Sequence, residues 1–149
     1  MMSHVRQKIR EAVAEALTGI VPNVFVNRVR SLPSSKLPAI AVFALEEDVE
    51  EATMARTQTR SLLLAVDVII AAGDEDPSAT LDGHCARVET AMAATRNLGV
   101  RVKSVALVRT DIEMSGAGEQ AQGLPDLAAA RLQYRIVYRT PHGQPETAA

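Results

Sequence analysis

Aromatic side chains are scarce in this chain of 149 residues, which has two Tyr, two Phe and no Trp. A pocket for nucleobases or sugars normally offers flat aromatic surface, so the composition speaks against one. Cysteine is scarcer still. The single Cys85 excludes an intramolecular disulfide framework and any multi-cysteine zinc site, and it suits a reducing cytosol. No apolar run approaches membrane-spanning length. The opening MMSHVRQKIREAVAEAL also lacks the continuous apolar stretch of a signal peptide, so a soluble, unexported chain with no membrane partner is expected. A net charge of −2 carries no basic excess that would announce nucleic acid.

What remains is an ordinary globular balance, 47% hydrophobic and 23% charged, at the length of one domain. Val5, Ile9, Ala12, Val13, Ala16 and Leu17 recur at helical spacing. Ser3 is the expected N-cap, and Gly19 and Pro22 the stop. Asn23 to Arg30 reads as a short strand, SLPSSKLP as a loop and AIAVFAL as a strand apolar on both faces. Five acids follow, Glu46, Glu47, Asp48, Glu50 and Glu51, and residues 46–60 read as a long charged connection. RSLLLAVDVIIA then places Leu62, Leu64, Val66, Val68 and Ile70 on one face with Asp67 opposite.

Asp76 and Pro77 open a second helix with the stripe Leu81, Cys85, Val88 and Met92, running to about Thr95 and stopping at Asn97 and Gly99. Val100 to Met114 alternates as a strand whose phase slips near Ala106 and Leu107, as a bulge would make it. SGAGEQAQGLP reads as a loop. In the last strand Leu132, Tyr134, Ile136 and Tyr138 face one way, and Arg131, Gln133, Arg135 and Arg139 the other. The expected fold is therefore α+β: one domain over 1–140 in the order α-β-β-β-α-β-β. Its sheet of about five strands is antiparallel or mixed, with both helices on one face, and residues 141–149 form a flexible tail.

Little of this sequence suggests catalysis. His84 and Cys85 are adjacent, and a small enzyme built on them rests on that adjacency alone. Neighbours on a helix point about 100° apart, and Cys85 falls on the apolar stripe, where a free cysteine acts as a small hydrophobe. His4, His84 and His142 are scattered, without metal-ligand spacing. Gly116 and Gly118 precede a strand, so no helix N-terminus stands ready for a phosphate. No catalytic, cofactor or metal site is expected. The rows Arg131, Arg135, Arg139 and Arg28, Arg30 could bind phosphate or the acidic face of a neighbouring subunit, or simply stand in solvent; both readings stay open.

The opening helix VRQKIREAVAEALTGI, the segment VFVNRVRSLPSSKLPAIAVF, the acidic EEDVEEA, the strand LLLAVDVIIAA, the helix TLDGHCARVETAM and the closing LQYRIVYRT together resemble the minor tail or tail terminator proteins of long-tailed phages, over about residues 4–140. The specificity lies in the order and lengths of the elements. The resemblance implies a structural virion protein, not an enzyme. Copies of the chain would form a six-membered ring capping the tail tube at its head-proximal end, assembled in the host cytoplasm. That ring would end tube polymerisation and offer the surface for head joining. The implied partners are further copies, the major tail tube protein and a head–tail connector or neck protein, with DNA passing the lumen without sequence-specific contact. Head–tail connector and tail completion proteins share small α/β domains and are the alternative. The resemblance also places subunit contacts on sheet edges and on the connection after the second strand. The expected interface residues are Arg28, Arg30, Glu46, Glu47, Asp48, Glu50, Glu51, Arg56, Arg60, Arg131, Arg135 and Arg139.

Overall fold

The computed structural model describes residues 3–27, 34–52, 56–73, 76–95, 98, 100–114 and 127–148. Helix α1 spans Val5–Ala16, and its apolar stripe buries Val5, Ile9, Val13 and Ala14. His4 caps it in place of the expected Ser3, because the His4 Nδ1 accepts the Arg6 N–H at 3.0 Å. Gly19, at φ +96°, turns the chain out of the helix through the left-handed region that favours glycine. Helix α2 spans Pro77–Ala94 and opens as expected, with Asp76 accepting the Ala79 N–H and Pro77 in the first turn. Its inner stripe is Leu81, Cys85, Val88 and Met92. The Arg87 guanidinium donates to the carbonyls of Ile20 and Gly19, tying α2 to the segment that follows α1.

Five strands form one mixed sheet: β1 (Asn23–Phe25), β2 (Ala39–Ala52), β3 (Thr57–Ala71), β4 (Ser104–Met114) and β5 (Leu127–Pro141). Their spatial order is β1-β2-β3-β5-β4, with β1 parallel to β2 and every other pair antiparallel. Both helices lie on one face. The core between them and the sheet joins Ile9, Leu17, Ile40, Leu62, Leu64, Leu81, Leu132, Ile136 and Tyr138 in one cluster. Each such aliphatic side chain contributes about 1.5–3 kcal/mol through burial. Expectation and structure agree on the α+β class, the element order and the helix placement. The first strand is shorter than expected, and Arg28 and Arg30 lie outside the described residues. So does the expected loop from Ser115 to Pro125.

The acidic connection is the main correction. Residues 46–52 are not a loop but the second half of β2, paired in register with Thr57 to Leu63 of β3. A bulge at Leu45 hides the alternation, because the register shifts between Ala44 and Glu46. Before it, even-numbered residues face the helices; after it, odd-numbered residues do. Glu47 therefore stands opposite Leu62, on the core face. The predicted irregularity in β4 is also present, one residue along, where the register shifts between Leu107 and Arg109.

Candidate assembly surface

The sheet carries the charge of this protein in three settings. The first is a buried network around Glu47, whose side chain is 6% exposed. Its Oε2 accepts from Arg6 Nη1 of α1 at 2.7 Å and from Arg60 Nη1 of β3 at 2.9 Å. Its Oε1 accepts from the Tyr138 hydroxyl of β5 at 2.5 Å. Arg60 is itself held by Thr140 Oγ1 and Gln58 Oε1. Burial, then the bond to Glu47, pushes the Tyr138 phenol well above its usual range. Donors from three elements thus converge on one carboxylate of β2, which fixes the distal hairpin to the domain.

The second setting is the helix-free face. Ala41, Phe43 and Ala65 make a small buried cluster there. The Arg131 guanidinium covers it, 5.1 Å from the Phe43 ring centroid, and grips Asp67 with two hydrogen bonds of 2.8 and 3.0 Å. That grip raises the Arg131 pKa further. Arg135 donates to Ser61 Oγ at 2.9 Å, and Arg139 is exposed. On the exposed strand β4, Arg109 chelates Asp111 at 2.9 Å, and Gln133 also donates to Asp111. Glu46, Asp48 and Glu50 share this face, all exposed, and form no ion pair among the described residues.

The third setting is the far end of the hairpin. Arg56, exposed, sits at φ +50°, and its carbonyl accepts the His142 N–H at 2.9 Å. The His142 Nδ1 lies 2.8 Å from Glu51 Oε1. Residues 142–148, expected as a loose tail, contact α1 in this structure: Val5 N–H donates to the Pro145 carbonyl and Lys8 Nζ to that of Glu146.

Apolar surface is distributed just as unevenly. Among the described residues the large hydrophobics left exposed are Leu45 and Val49 on β2, and Leu107, Val108, Ile112 and Met114 on β4. Register puts Leu107, Ile112 and Met114 opposite Tyr134, Ala130 and Ala128, and so on the helix face, beyond the helices' cover. Sequence reasoning missed this stripe, although the unbroken apolar VALV within β4 was a signal for it. It also missed Arg6 and Tyr138, whose role appears only when α1 and β5 come together at Glu47.

The adjacent His84 and Cys85 do not form a nucleophilic pair. Cys85 is buried on the α2 stripe, and desolvation, then Asp82 and Glu89, push its thiol up to about 11, leaving almost no thiolate near neutrality. Burial and Arg87 lower the His84 pKa. Among the described residues no group of three or more His, Cys, Asp or Glu side chains could hold a metal ion.

Fold and surface together define a two-layer α+β domain with both helices on one face and a charged open face on the other. The chain belongs to the family described as "Phage minor tail protein U", whose model matches residues 3–138. No curated protein matches the sequence. Among solved structures, the chain is similar to one described as "Virion of native gene transfer agent (GTA) particle", with 19% identity, a TM-score of 0.49 and 92% of each chain covered.

Proposed function

We propose that this structural tail protein is a tail terminator. Copies of the chain, six of them on the family resemblance, close into a ring on the head-proximal end of the tail tube. The ring ends tube polymerisation, presents the head-joining surface to a connector protein, and leaves a lumen through which DNA passes without base-specific contact. A ring requires two different, complementary patches on each subunit. The observation that carries the reading is the segregation of every exposed large hydrophobic among the described residues onto two strands, β2 and β4, toward opposite edges of the sheet. The exposed acids Glu46, Asp48 and Glu50 mark one of these edges and distinguish it from the other.

Mass measurement across a range of concentrations, with and without purified tail tubes, tests the proposal together with electron microscopy. Rings in solution or at tube ends are the expected result. A chain that stays monomeric at every concentration and leaves tube ends uncapped overturns it.

A further inference from the structure

We infer that the β4 strand of one copy pairs antiparallel with the distal half of β2 of the next, so that the sheet runs unbroken from subunit to subunit; this rests on the ring reading above. Both edges are free among the described residues. β4 bonds only to β5, and β1 occupies only Ala39 to Ala41 of β2. β2 has 14 residues, so removing those three leaves 11, the same length as β4. An unpaired strand edge of this length is a template for another strand.

Direction decides the symmetry. Antiparallel steps from β2 to β3, β5 and β4 leave β2 and β4 running oppositely. A second copy set beside the first in the same orientation therefore brings β4 and β2 together antiparallel, with its helices on the same side. Repetition of that step about an axis along the strands is a rotation, which closes a ring when its angle divides a full turn. Pairing β2 with β2 would instead need a two-fold axis and would set rows of acids against each other.

Register supports the same pairing. Full overlap sets Val42 opposite Met114 at one end and Val49 opposite Leu107 nearer the other. The bulge after Leu107 and the bulge at Leu45 offset one another between these points. Every residue on the helix face of β2 then meets a residue on the helix face of β4. Val49 and Leu107, both exposed in the single chain, cover each other, and Ile112 meets Ala44. On the opposite face Asp48 comes against Arg109. Glu46 comes against Asp111, whose carboxylate Arg109 and Gln133 already hold.

Cysteine pairing tests this on the full chain. In a Cys85→Ser background, Val49→Cys and Leu107→Cys proteins are prepared separately, mixed under ring-forming conditions and mildly oxidised. The mixture is expected to yield a crosslinked dimer, each protein alone no crosslink, and the double variant a ladder of multimers. Rings seen by microscopy without the mixed crosslink overturn the pairing while leaving the terminator reading intact. Leu107→Cys linking to itself overturns it in favour of a two-fold β4 contact. Absence of any ring, with or without tubes, refutes the terminator reading and this inference with it.

Discussion

Removal of the Glu47 carboxylate is the most informative perturbation of the fold. Glu47→Ala deletes the acceptor of three charge-assisted or short hydrogen bonds and leaves Arg60, with a side chain 12% exposed, and the fully buried Tyr138 without that partner. Breaking a buried ion pair by removing one member typically costs about 3–5 kcal/mol, because the other charge stays buried. Arg6, with a side chain 37% exposed, can turn to water and adds little. Arg60 keeps Thr140 and Gln58, which places the cost nearer the lower end, about 3 kcal/mol. At about 3 °C per kcal/mol for a chain of this size, Tm should fall by roughly 10 °C.

Urea denaturation followed by circular dichroism reads the change as a lower midpoint at unchanged slope. Glu50→Ala is the control, since Glu50 is exposed on the other face of the same strand and should shift stability by no more than about 0.5 kcal/mol. Hydrogen exchange adds a local reading: amides of residues 46–52 should lose protection beyond the global change, because Glu47 fixes that segment to α1 and β5. Equal effects of the two variants, with protection of 46–52 intact, would refute the argument that a buried acid holds the hairpin.

Other predictions concern burial and capping. Cys85 should react with a thiol probe only on the timescale of unfolding, and fast labelling of the native protein would contradict its burial on α2. Stability should fall with rising pH in the alkaline range: desolvation raises Cys85 from about 9 to about 11 and Tyr134 from 10 to about 12. The folded state therefore holds protons that the unfolded state has already released. The contribution is complete below the ordinary values and lost as pH passes the folded ones, and urea midpoints between pH 8 and 11 would show it. Tyr134→Phe removes a buried hydroxyl with no hydrogen-bond partner among the described residues and should leave stability unchanged or higher while flattening that slope. Asp76→Ala, which strips the α2 cap, should cost about 1 kcal/mol in the same denaturation assay.

The elements that sequence alone revealed were those with one uninterrupted period. The stripe Leu81, Cys85, Val88, Met92 and the alternation of β5 from Leu132 to Tyr138 each appear in the structure as read. Local chemistry also sufficed at Asp76, where cap and proline are contiguous. It failed at Ser3, since His4 offers its ring nitrogen one residue later and the two caps cannot be ranked by residue type. The distal half of β2 was illegible for a different reason. Five acids depress strand propensity, the bulge at Leu45 inverts the phase, and the donors that make Glu47 tolerable inside lie 41, 13 and 91 residues away along the chain. The candidate surface shared that fate. Its charges were plain, but the division of the five acids into one buried anchor, Glu47, three carboxylates on the helix-free face, Glu46, Asp48 and Glu50, and Glu51 beside His142 depends on the sheet.

That division bears on how assembly would be controlled. A long acidic loop would order only on meeting its partner, and its affinity would be reduced by the conformational entropy lost there. The hairpin is instead already paired along β3 and anchored at Glu47, so an arriving β4 strand meets an edge whose backbone is set before contact. Pre-organisation of this kind removes most of the ordering cost of binding and leaves desolvation and charge to set the barrier. Glu46, Asp48 and Glu50 line the helix-free face along that edge with no partner among the described residues, so their repulsion falls on any copy that presents the same edge. A strand such as β4, which sets Arg109 against Asp48 and holds Asp111 between Arg109 and Gln133, carries less of that penalty. On the terminator reading, the fold favours a head-to-tail contact over a two-fold one through charge on a rigid strand, with no segment needing to refold.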